Sequence, residues 1–426
     1  MILDENAVFF LIVRRVYSRI IIEWWFYALV GGLFFAQAIH NEVPGDLQVF
    51  YNTGVAVRNG INPWLPSVDT INFQFLNGPI FAFFCSILSN FGSRDMYLIT
   101  CFADIVLAPC IINLSGRLFE RKLSSKNNPF LSTFLIFTFP FRANVQYGQF
   151  VVVYVFLLLV VCTWLYSGKP SVLKDVGSGF CIIVLMDFKP HIFLIWLLIL
   201  FRPRKYLVFG LSLGLMTEFL LLWIMTGTFL PTEWALRLTN RGTRSGGLSG
   251  FYNLKTLLSV LEIGTPWNWI LIFLTVATLF GLSFRNLGSQ KWAFVIFYSA
   301  LFPASHPQDF IPFFVVALTF LYSNRISPIG YVAFGLSIVW SSNLLALLLE
   351  ILILGILFLM SCEKRIGFQE FNNFMLIAIP NIVLMGGSFL RIPVDSYRLV
   401  CNIFAVLGVS FIITRNYTLS SSKTKF

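Results

Sequence analysis

The sequence predicts an all-α, polytopic integral membrane protein, and two observations carry that reading. Of its 426 residues, 57% are hydrophobic and only 12% are charged, where a soluble domain holds about 25% charged residues. Apolar stretches long enough to cross about 30 Å of hydrocarbon also recur from one end of the chain to the other. Lipid is therefore the solvent for most of the surface. The net charge of +11 sits mostly in short loops between apolar runs, where it reports orientation across a membrane rather than affinity for nucleic acid. Cys85, Cys101, Cys110, Cys162, Cys181, Cys362 and Cys401 fall almost entirely within apolar runs and show no paired spacing. They read as small hydrophobes, not as disulfides or metal ligands. Met1 to Arg19 has no small-residue cleavage site, so the first hydrophobic run is expected to stay as an anchor.

The short basic loops order the helices. Arg14-Arg15, Arg117 to Lys126, Lys169 to Lys174, Arg202 to Lys205, Arg285 to Lys291, Arg325, Lys364-Arg365 and Lys423 to Lys425 are all assigned to the cytoplasmic side. That assignment predicts helices near 20–39, 96–115, 129–144, 148–166, 175–187, 189–201, 206–229, 267–284, 292–304, 310–323, 328–341, 344–361, 371–390 and 397–414. Segments 175–187 and 189–201 are short for a crossing, so the expected count is about 11–14 transmembrane helices.

One hydrophobic segment breaks the alternation. Pro79 to Phe91 (PIFAFFCSILSNF) would invert the basic loop after it if it crossed, and it is short, so it reads as interfacial or re-entrant. The first outer loop, His40 to Asp95, then holds two juxtamembrane helices, and a second outer loop runs from Pro231 to Pro266. The chain is expected to form one membrane domain over 1–426: a module at 20–230 with its outer loop 40–95, the outer loop 231–266, and C-terminal helices 267–426. No clear inverted repeat is visible, which disfavours a secondary transporter.

With this topology the notable polar groups gather on the outer face. Asp46 follows the first helix in GDLQVFY, with Tyr51 about a turn later. Gln146 and Gln149 lie in NVQYGQ, Lys189-Pro190-His191 at a helix break, Arg237, Arg241 and Arg244 in WALRLTNRGTRSGG, and His306 and Asp309 in SHPQD. One acid among several bases and amides suits an anionic, lipid-linked substrate. Each residue also has a plainer reading. Asp46 could be a solvated loop acid, Lys189 a snorkelling lysine, Gln149 a side chain bonding backbone at a helix start, His306 a polar cap and the arginines solvated. Tyr51 and Trp64 suit an interfacial aromatic belt, with sugar stacking as the other option. Asp104 and Glu350 lie mid-helix, where an acid is a functional suspect by default. Asp187 and Glu218 lie near helix ends, within reach of water.

The order of these motifs resembles the GT-C glycosyltransferases, in particular the polyprenol-phosphate-mannose-dependent α-mannosyltransferase branch. The matching residues are Asp46, Phe50-Tyr51, Ala56, Gly60-Ile61-Asn62-Pro63-Trp64, Phe75-Leu76-Asn77-Gly78-Pro79, Gly148-Gln149, Lys189-Pro190 and Ala304-Ser305-His306. The family's double Pro before the juxtamembrane helix is here Gly78-Pro79. The resemblance implies a GT-C-like helical bundle in a bacterial cytoplasmic membrane with its site on the outer side. It implies a polyprenyl-phosphate sugar donor, a glycolipid or glycan acceptor, inversion at the anomeric carbon and no cofactor. Asp46 matches the general base, with His306 in support. Tyr51, Gln149, Lys189, His191, Arg241, Arg244 and Asp309 are the expected substrate contacts. An O-antigen polymerase or ligase, and a lipid-linked oligosaccharide flippase, remain as rival readings.

Overall fold

The structure is a computed structural model that describes residues 5–69, 75–118, 128–166, 170–189 and 204–236, with Ile311, Pro312, Val315 and Thr319. Among them are α1 (Glu5–His40), α2 (Gly45–Arg58), α3 (Pro79–Leu88), α4 (Ser93–Leu118), α5 (Asn128–Phe137), α6 (Phe139–Tyr147), α7 (Val151–Tyr166), α8 (Val172–Phe188) and α9 (Lys205–Thr226). No strand occurs among the described residues. The all-α expectation is met there, and the first outer loop holds the two short helices foreseen, α2 and α3.

Two boundaries differ from expectation for local reasons. The first helix starts at Glu5 rather than near 20, because no Pro, and no Gly before Gly31, interrupts its 36 residues. The helix expected at 129–144 is broken in two. Pro140 has no N–H to donate back along the chain. Thr138 turns extended there, and its hydroxyl accepts from Phe141 N at 3.4 Å to cap α6.

Small residues set the packing of α8 on α9. A Cβ on Gly210 would overlap the carbonyl oxygen of Val176, one on Gly179 that of Leu207, and one on Gly214 would lie 2.8 Å from Ile183 Cβ. Arg204 at the start of α9 meets Asp175 at the start of α8, and Gly214 further along α9 meets Ile183 further along α8, so the two helices run parallel, as the basic-loop topology requires. Close backbone approach of this kind is how helices associate where lipid removes the hydrophobic drive between them. Their starting ends are pinned by charge. The Arg204 guanidinium meets the Asp175 carboxylate at 2.5 Å and donates to Leu165 O at 2.7 Å, tying the end of α7 to both.

Two of the described helices, α4 and α9, are long and apolar enough to cross a membrane. On α9 the exposed residues include Phe209, Met216, Phe219, Leu220 and Ile224, a face suited to lipid. The other expected crossings fall partly outside the described residues. Ile311, Val315 and Thr319, spaced by four, are all buried, as one face of the helix expected at 310–323. At the opposite end of the bundle from Arg204, Phe50, Phe75, Phe81, Phe84, Phe150 and Phe188 form a continuous aromatic cluster. Phe50 to Phe81 is 5.2 Å between ring centroids, Phe81 to Phe150 5.6 Å and Phe81 to Phe188 4.5 Å.

Replacing Gly210 by Leu is expected to force α8 and α9 apart and to lower stability by about 1–3 kcal/mol. Thermal unfolding of the detergent-solubilised protein would show it, and an unchanged midpoint would refute the close approach.

Candidate active site

Asp46 lies in the first turn of α2, which begins at Gly45 after Pro44 in an extended conformation. An ionised acid there is favoured by the unpaired N–H groups of the helix start. Its position on the helix decides more. Asp46 shares a face with Val49, Phe50 and Thr53, all buried, whereas Gln48 and Asn52 occupy the other side, bonded to each other at 2.9 Å. Asp46 is half-buried and turned toward the aromatic cluster. Its Oδ2 accepts a hydrogen bond from Gln149 Nε2.

The α6–α7 junction brings Gln149 to that position. Gly148 ends α6 with φ +64°, a left-handed conformation that glycine adopts at little cost. A Cβ on Gly148 would stand 2.7 Å from Leu47 Cβ, so the junction lies directly against α2. Gln149 N–H donates to Asn144 O at 2.9 Å. The helix-start bond that Gln149 was expected to make is made by Asn144 instead, whose Oδ1 accepts from Val151 N at 3.0 Å. The same amide donates through Nδ2 to Asp104 Oδ2 at 2.6 Å. Asp104, fully buried in α4, therefore holds the junction from below.

A second polar group lies across the aromatic cluster. Lys189 is the C-cap residue of α8, its N–H on Leu185 O at 3.1 Å, and it is half-buried. Just before it, Asp187 is 1% exposed, so it does not reach water as expected. Its Oδ2 accepts from Ile80 N at 2.5 Å, and its carbonyl accepts from Gly78 N at 3.0 Å. Asn77 Nδ2 donates to Phe188 O at 2.5 Å. Glu218 stands mid-way along α9 rather than near its end, within electrostatic range of Asp187.

Two tryptophans secure the same segment. Trp64 Nε1 donates to Asn77 O at 3.1 Å and Trp234 Nε1 to Leu76 O at 2.9 Å, their rings 6.4 Å apart. Trp64 is 2% exposed, which corrects both the aromatic-belt and the sugar-stacking expectations for it. Asn62 also bonds Glu233, so the chain leaving α9 is docked on the first outer loop.

The structure thus joins Asp46 with Gln149 and sets Lys189 at the far side of one aromatic cluster. It does not join Tyr51 to Asp46: five residues on, Tyr51 is about 140° around α2, half-buried on the other flank. Gln146 is exposed. His191, Arg241, Arg244, His306 and Asp309 lie outside the described residues. Sequence reasoning missed Asn144, Asn77 and Trp234. A lone polar residue before a Gly-Gln turn was the available sign for Asn144, and Asn77 stood in a matched motif without a role of its own; nothing local marked Trp234.

The family model described as glycosyltransferase family 87 matches residues 75–305, more than half of the chain. No curated protein matches. Among solved structures, the chain is similar to ArnT from Cupriavidus metallidurans bound to undecaprenyl phosphate, with a TM-score of 0.44, 13% identity and coverage of 94% of this chain and 77% of that one. The apo state of the same protein gives a TM-score of 0.41 at 13% identity, covering 92% and 76%.

Asn144→Leu leaves the Val151 N–H and the buried Asp104 carboxyl without partners, so the loss of stability is expected to reach about 2–5 kcal/mol. Thermal denaturation would measure it. A loss below half a kcal/mol would mean that water or another side chain replaces the amide.

Proposed function

Because the chain belongs to glycosyltransferase family 87, we propose that it moves a hexose, mannose or glucose, from a polyprenyl-phosphate donor to a lipid-linked or cell-surface glycan. The reaction takes place at the outer face of a bacterial cytoplasmic membrane and inverts the anomeric carbon. The observation that carries this reading is the Asp46 carboxylate, turned inward on α2 and held through one oxygen by Gln149. A general base needs both features: a fixed oxygen within reach of a hydroxyl proton, and surroundings dry enough for that proton to matter.

The acceptor hydroxyl loses its proton to Asp46 as its oxygen attacks the anomeric carbon. The bond from that carbon to the phosphate oxygen breaks on the opposite face, and polyprenyl phosphate leaves with the bonding pair. Negative charge grows on the leaving phosphate, so a cation placed there acts on the transition state more than on the bound donor. Lys189 takes that part, with Arg241 and Arg244 from the second outer loop. His306 supports Asp46, and His191 and Asp309 contact the sugars. Family membership favours a transferase over the transporter alternative, and the aromatic wall between Asp46 and Lys189 supports a site from which water is largely excluded.

The test is transfer of radiolabelled sugar by the full chain in liposomes, from polyprenyl-phosphate mannose and polyprenyl-phosphate glucose separately, to a membrane glycolipid extract. Asp46→Asn is expected to cut turnover by about 10²-fold or more while donor binding persists. Gln149→Ala, which removes one charge-assisted hydrogen bond, should cost roughly tenfold. An Asp46→Asn protein that transfers as fast as wild type would overturn the base assignment.

A further inference from the structure

We propose that Asp187 is a positioning residue for donor binding, acting through Lys189; the inference rests on the donor reading above. Helix α3 is preceded by Gly78 at its N-cap, which has no side chain to cap the free N–H groups of the first turn. Asp187 supplies the cap from another element, its carboxylate on Ile80 N. The exchange is reciprocal. The last carbonyls of α8, at Asp187 and Phe188, would otherwise be orphaned, and they accept from Gly78 N and the Asn77 amide. Each helix thereby completes the end of the other, and Lys189 is the next residue along.

A merely structural cap has a cheaper form. Ser or Asn at position 78 would satisfy the same N–H groups locally, without burying a carboxyl beside Glu218. Taking a charge out of water and setting it near a like charge costs stability. A local cap, however, would leave the end of α8 held only through its last two carbonyls, whereas the Asp187 side chain adds a further tie to the start of α3, two residues from Lys189. Gly78 is the matching half of this arrangement, since a Cβ there would overlap the Asp187 carboxylate.

The experiment compares binding of undecaprenyl phosphate, and sugar transfer, by the full chain in nanodiscs as wild type, Asp187→Ala, Asp187→Ala/Gly78→Ser, Lys189→Ala and Asp187→Ala/Lys189→Ala. Asp187→Ala is expected to weaken binding about tenfold or more. Adding Gly78→Ser gives α3 a cap of its own in the space the carboxylate vacates, and should restore the thermal midpoint without restoring binding. In the Lys189→Ala background, Asp187→Ala should cost no further affinity, as expected for two residues acting as one unit. Recovery of wild-type binding in the Gly78→Ser protein would reduce Asp187 to a helix cap and overturn the proposal. Additive losses in the Lys189 pair would overturn it as well. Failure of wild type to bind undecaprenyl phosphate would instead overturn the donor reading, and this inference with it.

Discussion

One amide side chain, that of Asn144, is the constraint on which the Asp46 end of the helices depends. It is fully buried and uses both of its polar atoms, one on the start of α7 and one on Asp104 of α4. Its backbone carbonyl accepts from Gln149. In apolar surroundings an unmet amide or carboxyl costs far more than the modest net gain of a hydrogen bond made. Three helices must therefore meet in one register. That register fixes the turn at Gly148, and the turn delivers Gln149 to Asp46. The intramembrane acid Asp104, a functional suspect by position, is explained here by support of the site from a distance.

Legibility followed the range of the interaction. Long apolar runs bounded by Gly, Pro and basic loops reported α4, α7 and α9 well, because caps and periodicity are local. The break at Thr138 was also written locally, in Pro140, and was passed over because the flanking run stays apolar. The face of Asp46 was readable once α2 was granted, since its neighbours at three, four and seven residues are all apolar or small. The partnership of Asp46 with Gln149 was not, because it joins residues 103 positions apart. Asp187 shows the same limit more sharply. Near a helix end it looks solvated, and only the arrival of residues 77–80 buries it.

The aromatic cluster does a different job from the polar contacts around it. Phe50 and Phe150 adjoin the Asp46–Gln149 pair in chain and in space, and Phe188 adjoins Lys189. Edge-to-face contacts through Phe81 join the two sides into one rigid wall.

The parallel register of α8 and α9 has a geometric consequence. Ile183 lies beside Gly214, so α8 stops near the level of Glu218 while α9 continues to Thr226. At 1.5 Å per residue, α9 stands about 12 Å taller. The start of α3 is seated on the shorter helix, where the Gly78 N–H and the Asn77 amide close the carbonyls of Asp187 and Phe188. The difference in height between α8 and α9 is thus the ledge that carries α3.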